Sequence, residues 1–187
     1  LTYIDTGAMY RCLALYAYRN NIDPTDVDAL VEGLKTLDIF LDNAGNVYLN
    51  GEDVTRKIRT TEVTKLASPV SAPRPVREIL VSKQQELAHR AENGVVMDGR
   101  DIGTTVFPNA ELKIFMTADP LVRAQRRAEE MIAKGEATDI QSVLDNLQER
   151  DYIDSHREAS PLSKADDAII LDNSHMTMED QLEWLKN

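Results

Sequence analysis

Gly94-Val95-Val96-Met97-Asp98-Gly99-Arg100-Asp101-Ile102-Gly103 decides the fold. Its apolar run stops abruptly at Asp-Gly-Arg-Asp, the pattern of a parallel strand buried on both faces, with two carboxylates and a guanidinium at its tip. In open α/β sheets ligands bind just beyond the carboxyl ends of the strands, so chemistry is expected at this tip. Thr2-Tyr3-Ile4-Asp5-Thr6-Gly7-Ala8-Met9-Tyr10-Arg11 repeats the arrangement. Two acidic strand ends, each followed within a few residues by an arginine, point to a phosphorylated small molecule and a cation.

Outward from these tips, strands are predicted at Thr2–Asp5, Val95–Asp98, Leu112–Thr117 and Ala168–Asp172. Helices are predicted at Ala8–Arg19, Pro75–Ala91, Pro120–Lys134, Asp139–His156 and Met178–Lys186. Strands alternating with helices imply an α/β fold, a parallel sheet with helices on both faces. Asp119, Pro120 and Gly135 supply an N-cap, a first helical residue and a stop for the third helix. Between Leu37 and Val54 the pattern changes to three short runs separated by Asn43-Ala44-Gly45-Asn46 and Asn50-Gly51. Asn-Gly is a strong signal for a tight hairpin, so a small antiparallel insert is expected there, a lobe able to close over a substrate.

With 187 residues the chain can bury a proper core as one domain. Its net charge of −11 argues against a nucleic-acid polymer as partner, which would need a broad basic surface. No apolar stretch approaches the roughly 18 residues of a membrane span. Cys12 is the only cysteine, read as a small buried hydrophobe, and a reducing, cytoplasmic setting is expected. His89, His156 and His175 have no metal-ligand spacing.

The arginines carry the functional signal. Ile140, Val143, Leu144 and Leu147 form an apolar helical stripe that continues into Arg150, Asp154 and Arg157. Either an ion-pair ladder on a solvated helix end or a helix tip entering a ligand cleft produces this pattern. Arg123, Arg126 and Arg127 cluster on the helix from Pro120, where Glu129 and Glu130 also permit surface ion pairs. Arg11 and Arg77 stand near the starts of two further helices. A planar guanidinium donates two parallel hydrogen bonds to phosphate and keeps its charge. Ser68 lies in a proline-rich segment, Thr64 to Pro75, read as a rigid connector whose hydroxyl could face a base edge.

Three blocks together resemble the bacterial cytidylate kinases: Ile4 to Arg11, Asp98 to Pro108, and Glu149-Arg150-Asp151 with Arg157. The resemblance runs from residue 1 to residue 187, and it implies transfer of the ATP γ-phosphoryl group to CMP or dCMP in pyrimidine metabolism. Carried over, Arg11, Arg100 and Arg157 would grip the CMP phosphate, and Ser68, Arg77 and Asp101 would read the cytosine. Tyr10, Arg150 and Asp154 would contact the ribose, with Thr6 among the substrate contacts. Asp98 would orient Mg2+, through water. Arg126 and Arg127, with Arg123 beside them, would neutralise the transferring phosphoryl group from a mobile lid. The turn around Asp172–Thr177 would border the adenine.

The resemblance also implies one kinase domain over 1–187, an insert lobe over about 30–75 and a lid over about 123–157. ATP, CMP and dCMP are the expected partners of a monomeric cytoplasmic enzyme. The family's opening strand and Gly-x-x-x-x-Gly-Lys-[Ser/Thr] loop are not among these residues. A leading segment is therefore expected, its strand lying between those that end at Asp98 and Thr117. These residues would then supply a monophosphate site and lid, with the ATP phosphate cradle elsewhere. A CMP-sensing module and a kinase for another base are the alternatives.

Overall fold

The acidic tips are register partners. In the computed structural model, which describes residues Leu1–Asn187, β1 (Thr2–Asp5) and β5 (Val95–Asp98) pair in parallel with Asp5 opposite Asp98. A second parallel pair joins β6 (Ile114–Thr117) to β7 (Ile169–Asp172). The parallel architecture is thus present as two two-stranded pieces. The chain divides into two compact units: Leu1–Pro108 with Ile153–Ser163, and Asn109–Tyr152 with Lys164–Asn187.

The first unit is built around α1 (Thr6–Arg19), which buries Ala8, Met9, Tyr10, Cys12, Leu13, Ala14 and Ala17. Full burial of a leucine such as Leu13 contributes about 2 kcal/mol. Asp5 starts the helix, its side chain accepting from the Ala8 N–H at 3.0 Å. Against α1 pack α2 (Val27–Thr36), α3 (Thr61–Ser71) and α4 (Arg74–His89). The expected meander is β2 (Ile39–Leu41), β3 (Val47–Leu49) and β4 (Glu52–Asp53), antiparallel throughout. Asn50 and Gly51 both have positive φ, 50° and 81°, as the Asn-Gly hairpin turn demands.

Two elements differ from the sequence-based reading. The helix α2, N-capped by Asp26, was not foreseen. The segment read as a proline-rich connector is largely helical: α3 runs through Pro69, and Ser68 is buried on it. Burial of Val63, Ala67 and Val70 outweighs the local cost of an internal proline.

The second unit holds α5 (Pro120–Ala133), most of α6 (Ile140–His156), the β6–β7 pair and α7 (Met178–Lys186). Asp119 caps α5 by accepting from Leu121 and Val122, as its position suggested. Ala124, Ala128 and Val143 make a small core. No helix is long and apolar enough to cross a membrane.

Candidate functional site

Where β1 ends, Asp5 Oδ2 accepts from Arg59 Nη2 at 3.0 Å. Thr6 Oγ1 donates to the Asp98 carbonyl at 2.6 Å, tying the two strand tips together. That approach explains Gly99: a Cβ there would meet Thr6 Oγ1 at 2.3 Å. Desolvation, followed by the Asp5 charge, raises the Asp98 carboxyl above the usual carboxylate range, although the residue is open to solvent on one side. The Tyr3 hydroxyl lies beside the Asp98 carboxylate. The structure holds no group of three or more His, Cys, Asp or Glu side chains placed to bind a metal.

Beyond β5 the chain enters a π-helical turn, Ile102–Val106. Asp101 precedes it, its carbonyl accepting from Thr105 N at 2.8 Å, while Gln85 Nε2 on α4 donates to the Val106 carbonyl at 2.9 Å. The Asp101 carboxylate is thereby fixed against Arg77, Oδ2 to Nη2 at 2.8 Å, with the two side chains 2% and 3% exposed. Arg77 also donates to the Ser71 carbonyl at 2.9 Å, and its guanidinium lies 4.7 Å from the Tyr10 ring centroid. Ser71 Oγ donates in turn to the Ser68 carbonyl at 3.0 Å. Ser68, Arg77, Asp101 and Tyr10 therefore belong to one hydrogen-bonded and stacked group.

A second node forms on Asp154, which accepts from Arg100 Nε at 3.0 Å and pairs with Arg157 Nη1 at 3.6 Å. Arg157 lies just past the end of α6, with its Nε donating to the Ser160 carbonyl at 2.9 Å. Burial, then the neighbouring Arg77 charge, presses its guanidinium below the ordinary value. Three guanidiniums (Arg77, Arg100, Arg157) thus face two carboxylates (Asp101, Asp154): the two buried pairs balance, and the surplus charge is that of Arg100, which is partly open to solvent. Arg157 Nη2 is buried and makes no hydrogen bond. An anion is what this arrangement lacks.

Arg11 is held on α1 by the Ile58 carbonyl at 3.0 Å and Thr64 Oγ1 at 2.9 Å. It belongs to the same unit as Arg100 and Arg157 but is anchored by different partners. Arg150 falls in the second unit. There, Arg123 forms a two-pronged pair with Asp151. Arg126 clasps the turn after β7, donating to Asn173 Oδ1 at 3.0 Å and the Asn173 carbonyl at 2.6 Å. Arg127 pairs with Glu130 at 2.8 Å, the helix-surface contact that the sequence also allowed. A cleft of about 470 Å³ opens at the carboxyl ends of β6 and β7, lined by Thr117, Asp119, Val122, Asp172, Ser174 and His175 among others.

Sequence reasoning missed Arg59, Tyr3 and Gln84. Only Gln84 carried a signal, a polar residue interrupting the apolar stripe of α4 at Val76, Leu80 and Leu87.

Parallel strands with carboxylate tips, beside two buried arginine–carboxylate pairs and a solvent-facing third arginine, fit an α/β phosphotransferase of small phosphate esters. The chain matches the cytidylate kinase family model over residues 1–186. It is 52% identical to the cytidylate kinase of Bacteroides thetaiotaomicron over 98% of this chain and 82% of that protein. Similar matches are the cytidylate kinases of Parabacteroides distasonis, 50% identical over 98% and 83%, and Flavobacterium johnsoniae, 50% over 96% and 80%. The chain belongs to the cytidylate kinase family, whose reaction is phosphorylation of CMP or dCMP with ATP as phosphoryl donor.

Proposed function

We propose that the buried arginine–carboxylate network of the first unit is the nucleoside monophosphate site of a CMP/dCMP kinase. The observation that carries this reading is the charge surplus at Arg77, Arg100 and Arg157 over Asp101 and Asp154, with Arg157 Nη2 left without a hydrogen bond. A phosphate dianion would neutralise that surplus and supply acceptors for charge-assisted hydrogen bonds. Arg100 and Arg157 take the phosphate, joined by Arg11. Asp101, with Arg77 and Ser68, reads the base: a carboxylate accepts from an exocyclic amine, which cytosine has and uracil lacks. Tyr10 and Asp154 contact the ribose, and Thr6 completes the wall at the strand tip.

Arg150, which falls in the second unit, keeps the ribose role that the family resemblance implies. Arg126 and Arg127, with Arg123, neutralise charge on the transferring group from a lid over about 123–157. The turn around Asp172–Thr177 borders the adenine. The segment over about 30–75 is the substrate-closing insert of one kinase domain.

Phosphoryl transfer asks little covalent help of the protein, so positioning and charge stabilisation do the catalytic work. Asp98 fits a water-mediated Mg2+ site, since one carboxylate plus waters and substrate phosphates is a usual set for that ion. The neighbouring Asp5 charge, which raises Asp98, is relieved by a cation. When bound, Mg2+ would shield the phosphate charges and align them. The enzyme is read as cytoplasmic on its single buried cysteine, and as a monomer by expectation alone.

A coupled ADP-release assay of the full-length protein with CMP, dCMP, UMP and AMP tests the reading. CMP and dCMP should be preferred. Preference for AMP would overturn the base-reading assignment, and CMP binding without turnover would make the protein a sensor.

A further inference from the structure

The helix α4 carries one side chain that the nucleoside assignment does not use. Gln84 is 0% exposed, and neither its amide oxygen nor its amide nitrogen has a partner at good hydrogen-bond geometry, the Tyr10 hydroxyl being the polar group placed beside it. Buried polar groups are nearly always satisfied, because leaving one unpaired costs more than replacing it by an apolar side chain of similar shape. A fully buried glutamine held at such a cost calls for a compensating use.

Its surroundings indicate that use. Gln84 lies seven residues after Arg77 on the buried face of α4, with Leu80 between them. Seven residues of helix span about 10 Å. Tyr10 bridges this interval. Its ring lies under the Arg77 guanidinium, 4.7 Å from centroid to Cζ, and its hydroxyl stands beside the Gln84 amide. The hydroxyl is itself buried without a made hydrogen bond. Two neighbouring polar groups therefore stand just short of bonding, at the far end of a ring whose near end supports the Arg77–Asp101 pair. Hydrogen bonds that are loose before ligand arrives tighten in the complex.

We propose that Gln84 is a positioning residue of the monophosphate site: on substrate binding its amide engages the Tyr10 hydroxyl and fixes the ring on which Arg77 rests, and so the place of Asp101. Gln84 itself does not touch the nucleotide. The inference rests on the assignment of Tyr10, Arg77 and Asp101 to the nucleoside.

The experiment compares full-length wild-type protein with Gln84→Met, Tyr10→Phe and the double variant, by steady-state kinetics and thermal unfolding. Gln84→Met should hold or raise the melting temperature, since two unsatisfied atoms leave the interior. It should raise KM for CMP about tenfold, with kcat and the KM for ATP changed less than twofold. Tyr10→Phe, which also touches the ribose, should raise KM for CMP at least as much, and the double variant should be no worse than Tyr10→Phe alone. An unchanged KM, a lowered melting temperature, failure to fold, or additive single effects would each overturn the role of Gln84 while CMP turnover by the wild type stands. Wild-type turnover of AMP in preference to CMP would overturn the nucleoside assignment itself.

Discussion

The two compact units handle arginine in opposite ways. In the first, Arg77 and Arg157 are nearly inaccessible and are held by Asp101 and Asp154, which are equally buried. In the second, Arg123, Arg126 and Arg127 lie on one helix and reach partners across its surface: Asp151, the Asn173 turn and Glu130. The cores differ too, Met9, Leu13, Leu30, Leu34 and Leu80 in the first against Ala124, Ala128 and Val143 in the second. Buried ion pairs are costly to form and costlier to break, so they suit a template that must not change shape. Surface pairs exchange partners at little cost, which would suit the phosphoryl-neutralising role proposed for Arg126 and Arg127.

Substitutions put this contrast to the test. Asp101→Ala leaves Arg77 buried without its partner and should cost about 3–5 kcal/mol of stability in urea unfolding. Glu130→Ala, which unpairs Arg127 at the surface, should cost under about 0.5 kcal/mol. Equal losses would show that the two networks do not differ in kind. Arg157→Ala should remove about 2–3 kcal/mol of charged hydrogen bonding to substrate, lowering kcat/KM for CMP roughly 30- to 150-fold. Unchanged kinetics would reduce Arg157 to a structural part of the loop around Ser160.

Gly99→Ala probes the strand tips. Its Cβ would strike Thr6 Oγ1 at 2.3 Å, and overpacking of that kind costs about 1–3 kcal/mol. A wild-type melting curve would mean that the Thr6–Asp98 link yields freely. Arg127→Ala should alter stability by no more than about 0.5 kcal/mol, yet lower kcat about tenfold with KM for CMP held. A change in KM alone would place Arg127 outside the transfer step.

The smallest effect concerns Glu52, whose carboxyl is drawn from 4.5 to about 2 by hydrogen bonds from Arg19 and Lys57. Because its folded value is depressed, its contribution to stability is present above about pH 4.5 and disappears as pH falls toward 2. Glu52→Gln should therefore melt slightly lower than wild type at pH 7 and equally at pH 2. A gap that persists at pH 2 would point to packing in place of charge.

Much of the frame was legible from local chemistry. The strands at Val95–Asp98 and Thr2–Asp5 announced themselves because apolar runs ended in acids, and both occupy the stated residues. Burial on both faces is not found: Tyr3 and Val96 are about half exposed, and each strand pairs on one side only. Asp119 and Pro120 located the start of α5 through capping, which needs no tertiary information. By contrast α3 was hidden by Pro69, since a local rule forbids what burial of Val63, Ala67 and Val70 makes favourable. The π-helical turn at Ile102–Val106 has no sequence signal, because it exists where Gln85 reaches across from α4. Among the candidate residues, the pairing of Asp154 with both Arg100 and Arg157 could not be read from spacing, as Arg100 is remote in the chain. Whether an arginine is buried or exposed depends on the packing around it, so the sequence left a surface role open for Arg77 as well as for Arg127.

The positive excess around Arg157 has a practical consequence at the bench. A cluster of guanidiniums with one charge unmatched will recruit whatever small oxyanion the buffer contains. Phosphate or sulfate in the medium should therefore raise the melting temperature and compete with CMP, so that affinities measured in phosphate buffer fall below those measured in a zwitterionic one.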